Sequence, residues 1–391
     1  MISGTRAPDA TDPDFAHVAE LLDARRAEDL HEGAQVYVSL SGEALLDTAV
    51  GESREGRDLD RDDVMLLYSA GKPLTTVAVL RLWEQGRLSL DDRIAEFVPG
   101  WCGGKESATI RHVLTHTGGF MRAAAGLYDT DASFDDLLTA IAVSPAEWEP
   151  GTAAGYHLFA GWVVLAAVVA AVDGRRIDTF VREEITSPLG VDDVSIGVPL
   201  DEQQRLGDRL APVYWKGHVM MRREGGKARF VPYRVDERHN DPAHVARPEP
   251  GGNARGSARS LGRFYESLLG FGPPLLEART VEAASAAHRR GMKDRLFTAD
   301  VPWGLGFQLS EAIGGGPGRR VFGHGGMSST EAFADPDLGL VVVVTANGLP
   351  AFLDHDRRMS AVVDAVYSSL GDEAQHVRRP VQTLAKAWGF A

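Results

Sequence analysis

The chain has 391 residues, enough to bury a large core in one large domain or in two to three smaller ones. Its formal net charge of -14 excludes the basic footprint that nucleic acid or an anionic membrane demands, which leaves small molecules as the expected partners. Met1 to Thr5 shows no charged stretch followed by an apolar one, so no secretory signal is read and a cytoplasmic location is expected; the single Cys102 excludes an intrachain disulfide and a cysteine zinc cluster.

Residues 13–30 combine helical periodicity with many charges, which predicts an amphipathic helix on the outside of a sheet. Gln35 to Leu40 and Ala44 to Val50, joined by Ser41-Gly42-Glu43, read as a hairpin. Val64 to Tyr68 is a short apolar run, and Leu74 to Trp83 continues as an apolar helix that ends near Gly86. Between them stands Ser69-Ala70-Gly71-Lys72. Three residues apart in a first helical turn, the hydroxyl and the amine share one face and can meet. Pro73 fits, because the first N–H groups of a helix have no intrahelical partner to lose. A serine there gains the positive end of the helix dipole and keeps its own N–H free for a developing oxyanion. A phosphate loop would need glycine at Leu66 and Ser or Thr at Pro73, and a nucleophile elbow would need glycine at Leu67; both readings fail.

Further along, His112 and His116 have the four-residue spacing of zinc helices, but Val113 stands where glutamate is required, so no metal is expected there. Gly151 to Tyr156, after Glu149-Pro150, reads as a turn that delivers Tyr156 to an apolar helix over 158–172, a run too short to span a bilayer. Residues 222–256 are the most polar and irregular stretch, and His218, His239 and His244 read as parts of a solvated loop. Gly256 to Phe264 follows. Trp303 to Leu309, Arg320 to Gly323, Thr330 to Asp335 and Gly339 to Ala346 form a second strand-rich block, with turns at Gly314 to Gly318 and at Asp335-Pro336-Asp337. Within it, Phe322-Gly323-His324-Gly325-Gly326-Met327 puts small residues at a strand end, where a substrate could approach the backbone. Residues 352–370 return to helical spacing. The whole predicts an α+β fold with one central antiparallel sheet formed by the N- and C-terminal segments, flanked by helices, and a mostly helical insertion. The expected division is 1–73 with 291–391 for a discontinuous sheet domain and 74–290 for the helical one, with the active site in the cleft between them.

In this order, Tyr68 to Lys72, Gly86 to Asp92, His112 to Gly119, Pro150-Gly151 with Tyr156, Ser257 to Leu261, His324-Gly325-Gly326 and Asp335-Pro336 make a set that chance does not supply. Over residues 20–350 the chain resembles the serine β-lactamase-like superfamily, in the class C β-lactamase-related branch that includes the family VIII carboxylesterases. The resemblance implies a β-lactamase/transpeptidase-like fold with Ser69 as nucleophile, Lys72 as its activating partner and Tyr156 as the tyrosine of the family's Tyr-x-Asn motif. It places the oxyanion donors at the backbone N–H groups of Ser69 and Met327, and it makes His324-Gly325-Gly326 the substrate-side strand, Lys-Thr-Gly in the β-lactamases. The chemistry agrees, since an unassisted serine is a poor nucleophile and needs a base, here a desolvated Lys72 or the Tyr156 phenolate.

Two departures bear on substrate. Leu158 stands where the lactamases carry asparagine, and His324-Gly325 stands where they carry Lys-Thr, which removes polar contacts that would orient a β-lactam. His324 either hydrogen-bonds Tyr156 or the substrate, or shapes the wall. The resulting expectation is a serine hydrolase acting through an acyl-enzyme, a carboxylesterase for small or medium acyl esters, with no cofactor or metal. An acyltransferase or an amidase, peptidase or β-lactamase-type hydrolase on the same residues is the alternative, and a non-catalytic binding protein a third reading. Phe120, Trp148, Trp215, Tyr233 and Trp303 are candidate pocket walls. The sequence carries no signal for oligomeric state.

Overall fold

Leu340–Ala346 is an aliphatic, mostly β-branched run buried along its whole length, the pattern of a strand covered on both faces. In the computed structural model, which describes residues 15–371 apart from 129, 225, 226, 235, 311, 312 and 315–319, it is the middle strand of a seven-stranded sheet. The order is Gln308–Leu309, Phe322–Gly326, Thr330–Asp335, Leu340–Ala346, Gly33–Leu40, Glu43–Arg54 and Arg57–Asp58. All neighbours pair antiparallel, and the two chain ends meet where Ala34 faces Ala346 and Leu40 faces Leu340. Because side chains alternate along a strand, Val36, Val38, Val342, Val344 and Phe333 point to one side. There they pack with Val18 and Leu22 of helix Ala16–Ala27 and with Met359, Val362 and Val366 of helix Phe352–Ser369. Tyr37, Val341, Val343, Ala332 and Ala334 point the other way, into the larger core.

That larger core is organised around helix Lys72–Glu84, buried at every position from Lys72 to Leu80 and again at Leu82. Helix Ala160–Asp173, buried from Ala160 to Val169 and stopped by Gly174 at φ 89°, packs with it, as does Ile177–Val181, while Phe134–Val143 packs on Ala160–Asp173. Helix Ala258–Leu268, capped by the Ser257 side chain, lies on the sheet itself, where the Tyr37 hydroxyl donates to Glu266 Oε1 at 2.7 Å. Gly262 allows this approach, because a Cβ there would stand 2.2 Å from the Tyr37 ring.

Several expected elements are displaced. The irregular stretch holds a hairpin, Val219–Glu224 with Lys227–Pro232, the short helices Asp236–His239 and Pro242–Val245, and the strand Ala254–Gly256. That strand joins Met65–Tyr68 and Ser195–Ile196 in a small sheet, so the middle of the chain is not helical throughout. The expected strand from Trp303 shrinks to Gln308–Leu309, because Gly306 at φ +77° turns the chain, and a Cβ there would meet Thr76 Oγ1 at 2.1 Å. The next strand runs Phe322–Gly326 rather than ending at Gly323, and the first hairpin reaches out to Gly33 and Arg54. Most of the Gly314 to Gly318 turn and the start of the first expected helix lie outside the described residues.

Candidate active site

Tyr68 has φ 49° and ψ -132°, a backbone state that a tyrosine holds only when its surroundings impose it. It turns strand Met65–Tyr68 straight into the 3-10 turn Ser69–Gly71, which runs on as helix Lys72–Glu84. Ser69 therefore stands at a helical N-terminus, where its N–H has no intrahelical partner and the dipole favours negative charge. Gly71 is dictated by packing, since a Cβ on it would lie 2.0 Å from the Ala254 Cβ.

Lys72, fully buried, turns its amine back onto the serine. Nζ donates to Ser69 Oγ at 2.7 Å and to the Gly251 carbonyl, and it makes no salt bridge among the described residues. Burial pushes its pKa down to about 7, with the negative charge of Glu249 opposing the shift. An amine that is partly neutral near pH 7 and in contact with a hydroxyl can take its proton.

Tyr156 reaches Ser69 from the other side. Its ring centre lies 5.4 Å from Lys72 Nζ, and the serine acts on its phenol. Burial raises its pKa above the ordinary phenol value, against the lowering effect of Ser69, so the phenol stays protonated at neutral pH. The backbone around it is pinned: Gly155 N–H donates to the His116 carbonyl at 3.0 Å, Tyr156 N–H to Asp294 Oδ1 at 3.3 Å and His157 N–H to His116 Nδ1 at 3.1 Å. His116 and His112 do not converge on a shared point. His112 Nδ1 instead accepts the Thr109 N–H at the start of helix Ile110–Leu114.

Strand Phe322–Gly326 closes the site. A Cβ on Gly326 would stand 2.3 Å from the Leu67 carbonyl, so only glycine lets the strand cross the chain leading into Ser69, and Met327 follows at once. His324 is buried, and its Nδ1–H donates to the Gly325 carbonyl at 2.7 Å. Its ring contacts Tyr156 and Trp303, with centres 5.9 Å and 5.7 Å away, and Nε2 has no hydrogen-bond partner among the described residues. Burial, assisted by the charge of Lys72, pushes His324 down to about 3, so a neutral group occupies the lysine position of the β-lactamase motif. Gly325 N–H donates to Gln308 Oε1 at 2.9 Å, and Leu158 is 39% exposed beside the site.

Other expectations are corrected. Phe120, Trp148 and Trp303 are core residues, and Trp303 packs behind Tyr156. Of the five expected walls only Tyr233 lines the cavity beside the site, about 240 Å³, which is walled also by Tyr128, Phe134, Leu137 and Phe159. His239 and His244 are half-buried rather than on a solvated loop; they pair at 3.1 Å in that cavity, and buried His218 contacts Ser328 Oγ at 3.0 Å. Sequence reasoning missed Glu249, Gly251 and Asp294. The Pro250-Gly251-Gly252 run was the available signal for a close backbone approach. Nothing local marks Asp294, which pairs with Arg289 at 3.1 Å, both buried, and reaches Tyr156 from 138 residues away. Among the described residues no group of His, Cys, Asp and Glu side chains is arranged to hold a metal, and no helix is long and apolar enough to cross a membrane.

An antiparallel sheet joined to this helical body, with a serine at a helical N-terminus in contact with a buried lysine, is the arrangement of a serine hydrolase on the β-lactamase/transpeptidase fold. The chain belongs to the beta-lactamase family, whose model matches residues 18–366. It is 30% identical to esterase EstB of Burkholderia gladioli over 89% of this chain and 95% of that one. It is 26% identical to the esterase/beta-lactamase LipL of Mycobacterium tuberculosis, over 89% of this chain and 84% of that one. In structure it is similar to a penicillin-binding protein homologue from Caulobacter crescentus, with TM-score 0.77, 25% identity and 94% and 99% of the two chains covered. A family VIII carboxylesterase superposes with TM-score 0.76 at 23% identity, over 94% and 99% of the chains.

Proposed function

We propose that this protein is a serine carboxylesterase that works through an acyl-enzyme on neutral esters of small or medium acyl groups. The contact of Lys72 Nζ with Ser69 Oγ at 2.7 Å, with the Tyr156 ring 5.4 Å from the same amine, carries the reading. Lys72, whose pKa of about 7 leaves it partly neutral, takes the serine proton as Oγ attacks the ester carbonyl carbon. The backbone N–H groups of Ser69 and Met327 hold the oxyanion, and one such donor typically lowers the barrier by about 3 kcal/mol. Tyr156 passes its proton to the leaving alkoxide; in deacylation the phenolate takes a proton from the attacking water and the Lys72 ammonium returns one to Ser69 Oγ as the acid leaves. The cleft would lie between a sheet domain of residues 1–73 and 291–391 and a helical domain of residues 74–290.

The substrate class is argued from charge and space. A neutral His324 and an apolar Leu158 offer no grip for the carboxylate and amide of a β-lactam. The neighbouring cavity of about 240 Å³ exceeds the roughly 150 Å³ that admits a benzene ring, and its walls are mainly aromatic and aliphatic. The two guanidinium groups there are engaged with backbone carbonyls, Arg238 with Tyr128 and Thr130, Arg247 with Thr130 and Ala132. The name of EstB as an esterase points the same way, and that of LipL, an esterase/beta-lactamase, covers both activities. Initial rates on p-nitrophenyl acetate and butyrate, with nitrocefin alongside, test this: ester turnover lost in Ser69→Ala with little action on nitrocefin is the expected result. Nitrocefin turned over faster than either ester would overturn the ester assignment.

A further inference from the structure

Glu249 sits on the turn that faces the amine. Its Oε1 accepts the Gly251 N–H at 2.6 Å. The carbonyl of the same residue accepts from Lys72 Nζ and lies 3.5 Å from Ser69 Oγ. Gly251 therefore links the two, its N–H held by the carboxylate and its carbonyl turned to the amine and the hydroxyl. The turn is built around the carboxylate: a Cβ on Gly251 would stand 2.7 Å from Glu249 Oε1, and one on Gly252 would stand 3.4 Å from Oε2.

We infer that Glu249 is a positioning residue for the nucleophile pair, holding the 250–252 turn through the Gly251 amide so that the Gly251 carbonyl keeps Lys72 against Ser69, with its carboxylate charge facing the amine. The inference rests on Ser69 and Lys72 acting as proposed above. The groups facing Lys72 are Ser69, Tyr156, Trp162, His116, His324 and Glu249, and those facing Glu249 are Lys72, Arg247, Tyr128 and Tyr156. Burial keeps both histidines neutral and both tyrosines protonated through the working range, which leaves Lys72 and Glu249 as the pair whose charge changes. The sign is set by attraction. Removing a negative charge beside an ammonium makes that ammonium easier to deprotonate.

The test is the pH profile of kcat/KM for p-nitrophenyl butyrate in the wild type, Glu249→Gln, Glu249→Ala and Ser69→Ala. Glu249→Gln keeps an acceptor for the Gly251 N–H but has no charge; its plateau rate is expected within about threefold of wild type, with the acid limb displaced to lower pH by about half a unit or more. Glu249→Ala loses both and is expected to drop at least about tenfold at the plateau, since catalytic geometry tolerates little looseness. Thermal unfolding of the variants separates lost positioning from lost folding, and a glutamine variant that folds as the wild type does makes its profile decisive. Acid limbs unmoved in both variants, with plateaus unchanged, would overturn the role given to Glu249 while leaving Ser69 intact. Activity surviving in Ser69→Ala would instead remove the reading on which the inference stands.

Discussion

Lys72 Nζ stands 2.7 Å from Ser69 Oγ, one helical turn apart, with the amine fully buried. A charged amine would be costly in that place, so the lysine is drawn toward its neutral form in contact with the serine hydroxyl.

This fixes a pH dependence. With Lys72 at about 7, kcat/KM for an activated ester is expected to rise from pH 5 and level off above an apparent pKa near that value, because the protonated amine cannot act as base. A steady-state pH profile reads it, and a rate already level at pH 5 would contradict the assignment. Lys72→Ala should lower kcat/KM by about 10²-fold or more, the usual contribution of a general base.

Tyr156→Phe keeps the ring packed against His116 and Trp303 but removes the hydroxyl from Ser69. Folding should be preserved while kcat falls by about 10²-fold, in the range expected for a lost proton donor. The loss should be smaller for p-nitrophenyl esters than for alkyl esters, because p-nitrophenolate leaves without needing a proton. Equal losses on both substrates would count against a donor role.

Asp294→Ala is predicted to be a stability variant first. It leaves Arg289 buried without its carboxylate and frees the N–H groups of Tyr156, Leu296 and Phe297, and breaking such a buried pair costs about 3–5 kcal/mol. Denaturant unfolding measures it, and an unchanged midpoint would show that the site relaxes around the loss.

Gly326→Ala is expected to damage both folding and activity, since the added methyl would meet the Leu67 carbonyl at 2.3 Å and push the Met327 amide away from Ser69. A melting temperature and an ester rate both close to wild type would mean that the strand end can shift without cost.

How much was legible followed the range of the contacts involved. Ser69 and Lys72 could be read because their meeting depends on one turn of helix, and Thr330–Asp335 because its strand needs only the β pattern of its own residues. Tyr156 and His324 were readable through the resemblance, not through periodicity, as both lie in short segments with no repeat of their own. Glu249 and Asp294 were not readable, because they act on backbone amides brought near by the fold, and a lone acid before Pro250 or Arg295 looks like any solvated charge. The aromatic residues misled for the same reason: Trp303 and Phe120 occupy loop-like sequence yet fill the core behind Tyr156 and His157. Hidden positive φ values at Tyr68 and His116, neither a glycine, also left no mark in the sequence.

The most direct test of Ser69 as nucleophile is labelling of the folded protein with a fluorophosphonate, read by intact mass and by the modified peptide. A single adduct on Ser69, faster at pH 8 than at pH 6 and absent from Ser69→Ala, is the predicted result. No adduct, or one that persists in Ser69→Ala, would contradict it.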